Sequence, residues 1–253
     1  ARLGEPGGVA TAWHQIGVVH RQAGDTEAAE RAYRLALALK VQQGNHAGQA
    51  SSLGELGNLY KQMGRLEEAV TFYRQAADLY VALGDQRYEG IVRSNSADTL
   101  VKLRRYDAAR VEIVRAIECK QPFGHAAEPW KTWNILHDIE RARGDEVAAQ
   151  AAWQQARTSY LAYRRAGGYA QTDTGALCDT LLQYLPTGDT QGAANFLVQA
   201  QSAGWPAALL AKLEAVVAAV RDPALGDDPA LYYRDAAEVL WLIERLGGET
   251  TAD

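Results

Sequence analysis

Cysteine is almost missing from this chain: Cys119 and Cys178 are the two present in 253 residues, and they stand far apart. Two distant thiols make no disulfide framework, so a reducing compartment is expected, with the cytoplasm as its default. Phenylalanine is scarce, at three residues, and strand formers are thin, while Ala, Leu, Glu and Gln abound. That balance points to an all-α chain. An excess of basic charge is lacking too. The net charge is −5, and a nucleic-acid partner would need a basic face to meet its phosphates. No signal-peptide pattern and no apolar run long enough to span a bilayer occur, so no membrane partner is expected.

Motifs of chemistry are equally thin. No Gly-x-x-x-x-Gly-Lys-Ser/Thr segment is present, which excludes a phosphate loop of that kind. His14, His20, His46, His125 and His137 show no His-Glu-x-x-His and no metal-ligand spacing. His20 is expected to pack, and an enzymatic site would have to be assembled around His137, Asp138 and Glu140. Neither cysteine carries a signature of an activated thiol. Asp222 and Asp227-Asp228 miss the calcium-loop spacing and read as turn-capping aspartates. Arg164-Arg165 reads as compensation of a helix dipole at the C-terminal end. The expectation is a non-enzymatic chain with no cofactor and no metal.

What is present is a ladder. Gly4, Gly44, Gly84 and Gly124 recur every 40 residues, as do Ala29, Ala69, Ala109 and Ala149, and Ala36, Ala76, Ala116 and Ala156. A fixed period of this size means a stack of one supersecondary unit, in which each copy contacts its neighbours and the row builds a binding surface. In the first unit Trp13, Ile16, Gly17 and His20 share one helical face, and Gly24-Asp25 breaks the helix, with Asp25 or Thr26 able to cap the next. The second helix buries Ala29, Tyr33 and Ala36. The second unit repeats this with Leu53, Leu56, Gly57, Tyr60, Gly64, Ala69, Tyr73 and Ala76.

On those residues the chain resembles a tetratricopeptide repeat protein. Trp133, Leu136, Ala149, Trp153 and Ala156 continue the pattern in the fourth unit. The third unit departs from it, with Ser96-Ala97 for Leu-Gly, Arg104 for the turn glycine and Ile113 for the aromatic. The 40-residue unit is similar to those of kinesin light chain. The resemblance implies a right-handed superhelical α-solenoid of antiparallel helix pairs. Residues 1–8 are expected to end a truncated preceding repeat, because Ala1–Gly8 aligns with Val41–Gly48, and the chain is expected to be a piece of a longer array. Residues 9–168 then form four repeats, 169–203 a degenerate fifth, 204–247 a helical cap and 248–253 a tail. The cap is read as helices over Pro206–Val220 and Pro229–Leu246, the second turning Tyr232, Ala236, Val239, Leu240 and Ile243 inward.

The resemblance also implies where a ligand would lie. First helices line the concave groove, and its facing positions fall on His14, Gln15, Arg21, Glu55, Asn58, Lys61, Ser94, Asn95, Asp98, Lys131, Asn134, Asp138 and Arg141. Amide side chains there offer a donor and an acceptor to a peptide backbone, and the cations suit acidic groups. Asn58, Asn95 and Lys131 match three positions of the carboxylate clamp of chaperone-binding members. Gly54 and Ile135 hold the other two, so that clamp is incomplete. The stretch Arg221-Asp222-Pro223-Ala224-Leu225 with Asp228-Pro229-Ala230-Leu231 resembles the C-terminal arrays of bacterial STAND (NB-ARC- and NACHT-like) signalling ATPases. The expected function is a protein- or peptide-binding module, the ligand-sensing region of such a parent, whose other domains would also be partners. The alternative is a free-standing adaptor or a peptide-responsive regulator.

Overall fold

The computed structural model describes residues 6–247. Of the expected terminal segments, residues 1–5, including the rung Gly4, and the tail 248–253 lie outside the described residues. Twelve α-helices and no strand make up the described residues, which places the chain in the all-α class. The chain divides into two compact units: residues 1–127 with 138–146, and residues 128–137 with 147–253.

The first unit is built from α1 (Pro6–Gln22), α2 (Thr26–Gln42), α3 (His46–Gln62), α4 (Leu66–Leu83), α5 (Gln86–Lys102) and α6 (Tyr106–Lys120). Each helix packs on the next, and α1 with α3 and α3 with α5 also touch, so the first helices of successive repeats form one row. Helix starts follow from local chemistry. Asp25, Asn45 and Asp85 each accept a hydrogen bond from the backbone N–H three residues on, satisfying a donor that the helix leaves open.

The ladder glycines Gly44 and Gly84, and Gly24 and Gly64 midway between rungs, sit in left-handed turns. Gly24, Gly44, Gly64 and Gly84 have φ of 81°, 64°, 75° and 67°, a region a Cβ makes costly. Arg104 stands at φ 58° in the corresponding turn of the third repeat. The departure seen in sequence is therefore kept in the backbone, with strain.

A second departure is compensated. A Cβ on Gly17 would lie 2.6 Å from the Tyr33 ring, and one on Gly57 2.5 Å from the Tyr73 ring. The two helices of a pair close onto the ring because the glycine leaves room. In the third repeat the equivalent residues are Ala97 and Ile113, both fully buried. A smaller partner goes with the added methyl.

The second unit holds α8 (Glu146–Arg165) from Val147 on, α9 (Asp173–Tyr184), α10 (Thr190–Ser202), α11 (Ala207–Val217) and α12 (Tyr233–Gly247). α7 (Pro129–Arg143) is divided between the units. The core of this unit gathers Trp130, Trp153, Tyr160, Leu181, Leu197, Leu213, Tyr233 and Leu242.

Three expectations need correction here. The last helix starts at Tyr233, not Pro229, because Asp228 caps a turn by accepting from the Ala230 N–H at 2.9 Å. Its inward residue is Tyr233, whereas Tyr232 is 49% exposed. Arg164 is no solvated helix-end cation: it is 5% exposed, lies 3.1 Å from Glu238 and 2.8 Å from Asp179, and stacks over the Trp241 ring at 3.9 Å. Glu238 is fully buried and accepts from the Tyr160 hydroxyl at 2.8 Å.

A polar row on the first helices

The first-helix row brings many of the sequence-derived residues into pairs that cross from one repeat to the next. Arg21 on α1 lies 3.5 Å from Glu55 on α3. The Asn95 amide on α5 donates to Asn58 Oδ1 on α3 at 3.3 Å. Lys61 on α3 meets Asp98 on α5 at 2.5 Å, and Lys102 approaches the same carboxylate at 3.7 Å. α3 and α5 place these residues at i and i+3 spacing, which keeps them on one face.

Two tyrosines contribute what pattern reading missed. The Tyr73 hydroxyl donates to Asn58 Oδ1 at 2.8 Å, and the Tyr33 hydroxyl donates to Glu55 at 3.5 Å. Both rings fill the interior while their oxygens reach the row. The signal was in the sequence: a filler that needs no polar end would be Phe, or Ile as at Ile113. Burial pushes both phenols above their ordinary range, so they stay protonated and act as donors.

Below the row lies a second polar group. Lys40 on α2 is 5% exposed and donates to the Ser52 hydroxyl at 2.8 Å and to His14 Nδ1 at 3.4 Å. Burial lowers the Lys40 pKa. Burial, then the Lys40 charge, lowers that of His14. A neutral His14 accepting at Nδ1 fits both.

The remaining positions separate. Gln15, Asp138 and Arg141 are exposed. Ser94 is buried and its hydroxyl donates to the Gly90 carbonyl of its own helix at 2.8 Å. In the second unit Lys131 pairs with Glu128 at 2.7 Å, and Asn134 is half-buried.

The residues weighed for chemistry are occupied structurally. His137 Nδ1 donates to the Ala149 carbonyl at 2.9 Å, and Glu140 is 2% exposed between Arg110 and Arg143, 2.7 Å from each. His20, expected to pack, is half-exposed and 3.5 Å from Asp25. Both cysteines are buried; burial pushes the Cys119 thiol up to about 11 and Cys178 well above its usual value. Neither is a ready nucleophile. Among the described residues no group of three His, Cys, Asp or Glu side chains is placed to hold a metal, and no helix is long and apolar enough to cross a membrane.

What the row can do follows from its energetics. Its ion pairs are partly exposed, at 29% and 26% for Arg21 and Glu55 and 25% and 38% for Lys61 and Asp98. Such pairs are worth roughly 0–1 kcal/mol each, so a ligand can replace one partner at small cost. The charges alternate in sign along the row, which suits a polypeptide of mixed charge better than a polyanion.

Comparison with known proteins agrees with the fold. A family model described as Tetratricopeptide repeat matches residues 8–82 and 49–121. Among solved structures, BtubC (BKLC) from P. vanneervenii is 23% identical, with 80% of this chain and 85% of that one covered and a TM-score of 0.59. The apo form of RapI is 12% identical, over 99% of this chain and 67% of that one, with a TM-score of 0.62. The MamA protein is 20% identical, over 79% and 92%, with a TM-score of 0.50. At these identities the likeness is one of fold. No curated protein matches the sequence.

Proposed function

Because residues 8–121 carry tetratricopeptide repeats, we propose that this protein-binding module takes an extended polypeptide along its first-helix row. The observation that carries the reading is the set of cross-repeat pairs Arg21–Glu55, Asn58–Asn95 and Lys61–Asp98. They hold donors and acceptors in place on adjacent helices, and none is buried so deeply that exchange for a ligand group would be costly. Asn58 and Asn95 are the centre of the site. Its flanks, Arg21 and Lys61, take acidic side chains, and Glu55 and Asp98 take basic ones.

The protein is non-catalytic in this reading, since His137, Glu140, Cys119 and Cys178 are all engaged or shielded. Its setting is the sensing region of a larger bacterial STAND-type ATPase, cytoplasmic, with ligand binding biasing the parent between two states. That part rests on the sequence resemblance of the 221–231 stretch; a free-standing adaptor is equally consistent with the fold. Reading the gene upstream separates them: a P-loop ATPase domain supports the sensor, and an adjacent start codon the adaptor.

The row itself is tested by selecting binders from an extended-peptide library and titrating them by calorimetry. Removing two neutral amide hydrogen bonds in Asn58→Ala/Asn95→Ala should weaken binding about five- to a hundred-fold. Unchanged affinity with intact helical circular dichroism discards this face as the site.

A further inference from the structure

Between Arg165 and Lys212 the chain has no Lys, Arg or His, and its charges there are Asp173, Asp179 and Asp189. Two of these are engaged. Asp179 meets Arg164 at 2.8 Å, and Asp189 caps α10 by accepting from the Gly192 N–H at 2.8 Å. Asp173 stands in the first turn of α9, yet that helix already has its cap: Thr172 Oγ1 accepts from the Gly175 N–H at 3.0 Å. Among the described residues no hydrogen bond or ion pair engages the exposed Asp173 side chain.

That carboxylate lines a cleft of about 440 Å³ between α9 and α10. Small side chains open it: Ala176 on α9, Ala200 on α10 and Ala203 just past the end of α10 leave room that longer ones would close. Part of its wall is fixed, because Leu177 and Ala200 are buried in the core of the unit. Phe196 and Trp205, both half-buried, add ring surface, and the left-handed turn at Gly204, φ 86°, brings Trp205 there. Polar groups in the cleft are few. The Thr180 hydroxyl donates to the Ala176 carbonyl of its own helix at 2.9 Å, which leaves the Asp173 carboxylate and the Gln199 amide.

We propose that this cleft binds a small apolar organic cation, an arylalkylammonium ion, with its charge at Asp173 and its body against Leu177, Phe196 and Trp205. The volume is that of a small-molecule site. Aromatic faces attract a cation and also cover apolar surface, and a carboxylate with no competing cation supplies the counter-charge. Neither α9 nor α10 has a Lys or Arg to meet an anion. A polypeptide backbone crossing the cleft would need a series of donors and acceptors, and here it would find a single amide, that of Gln199. The site lies within the second unit and does not depend on what binds the polar row.

The test titrates phenethylammonium into the protein and follows the Trp205 indole N–H by NMR, with Trp205→Phe assigning the resonance. A saturable shift at millimolar concentration is expected. Asp173→Asn, and phenethyl alcohol in place of the ammonium ion, should each weaken binding about tenfold. Ala176→Leu should abolish it by filling the cleft. Asp173 and Ala176 are both exposed, so the variants stay folded, as circular dichroism would confirm. The proposal is overturned by the lack of a saturable shift, by equal affinity for the alcohol, or by binding that Asp173→Asn or Ala176→Leu leaves intact. The dipeptide acetyl-Phe-Lys-amide is the second arm. Tighter binding of it than of phenethylammonium would assign the cleft to polypeptide side chains and overturn the small cation named here.

Discussion

Gly57→Ala is the sharpest test of how the repeat pair is built. The added Cβ would lie 2.5 and 2.6 Å from two Tyr73 ring carbons and 3.0 Å from a third, well inside contact distance. Tyr73 is fully buried and its hydroxyl is held by Asn58, so the ring cannot swing clear without breaking that bond. Overpacking of this kind costs about 1–3 kcal/mol, while alanine in place of glycine gains about 1 kcal/mol of helix propensity. The net expectation is a loss of about 0–2 kcal/mol. Tyr73→Ile alone removes the ring and the hydroxyl and should cost about 2–4 kcal/mol. The double variant reproduces the Ala97–Ile113 pair of the third repeat: the clash is gone, the methyl fills part of the cavity and the propensity gain survives. It should therefore be more stable than Tyr73→Ile alone, with a coupling of about 2 kcal/mol. Urea unfolding followed at 222 nm measures the cycle, and amide exchange in α3 and α4 assigns the loss to this pair. A Gly57→Ala variant more stable than wild type, or a double variant equal to the sum of the singles, would refute the account of close approach.

Further outcomes follow from other sites. Arg104→Gly should raise stability by about 0.5–1 kcal/mol, because an exposed side chain at φ 58° gains nothing from its strain; Gly64→Ala, with open space around its Cβ, should lose about as much, both read by thermal melts. Arg164→Ala should cost about 3–5 kcal/mol by leaving Glu238 buried without its cation. Glu238, whose pKa burial raises, should lose less as Glu238→Gln, since the amide oxygen still accepts from Tyr160. His14 has a lowered folded pKa, so the unfolded chain binds more protons just below pH 6.5, and stability should fall as pH drops through that region. Melting temperatures of wild type and His14→Gln should converge toward acid pH, and a constant difference would contradict the burial of a neutral imidazole.

How much of this was legible beforehand depends on the range over which information travels. Helix pairs, their caps and their left-handed turns are local, and a 40-residue period states them again in each copy. Asp25, Asn45 and Asp85 announce helix starts, and Gly24, Gly44, Gly64 and Gly84 announce the ends. The positions Asn58, Asn95, Arg21 and Lys61 came from what the family resemblance implies for the first helices, and the structure sets them in pairs that cross from repeat to repeat. The tyrosine hydroxyls that support the row, and the Lys40–Ser52–His14 group beneath, were not legible; a side chain's tip can lie far from where its Cβ is placed.

Beyond the regular repeats the periodic signal fades, and pattern reading turned Tyr232 inward and left Glu238 out of the apolar face. Tertiary structure decided otherwise. Tyr160 and Glu238 are 78 positions apart in sequence, and nothing near either residue encodes the other. Once Arg164 is enclosed, its guanidinium needs a carboxylate and ring faces, and Glu238, Asp179 and Trp241 supply them. By itself, then, the sequence determined the repeat and its helices, since these follow from spacing along one chain. Only tertiary structure decided which of the polar side chains are buried, because burial depends on neighbours that the local pattern does not contain.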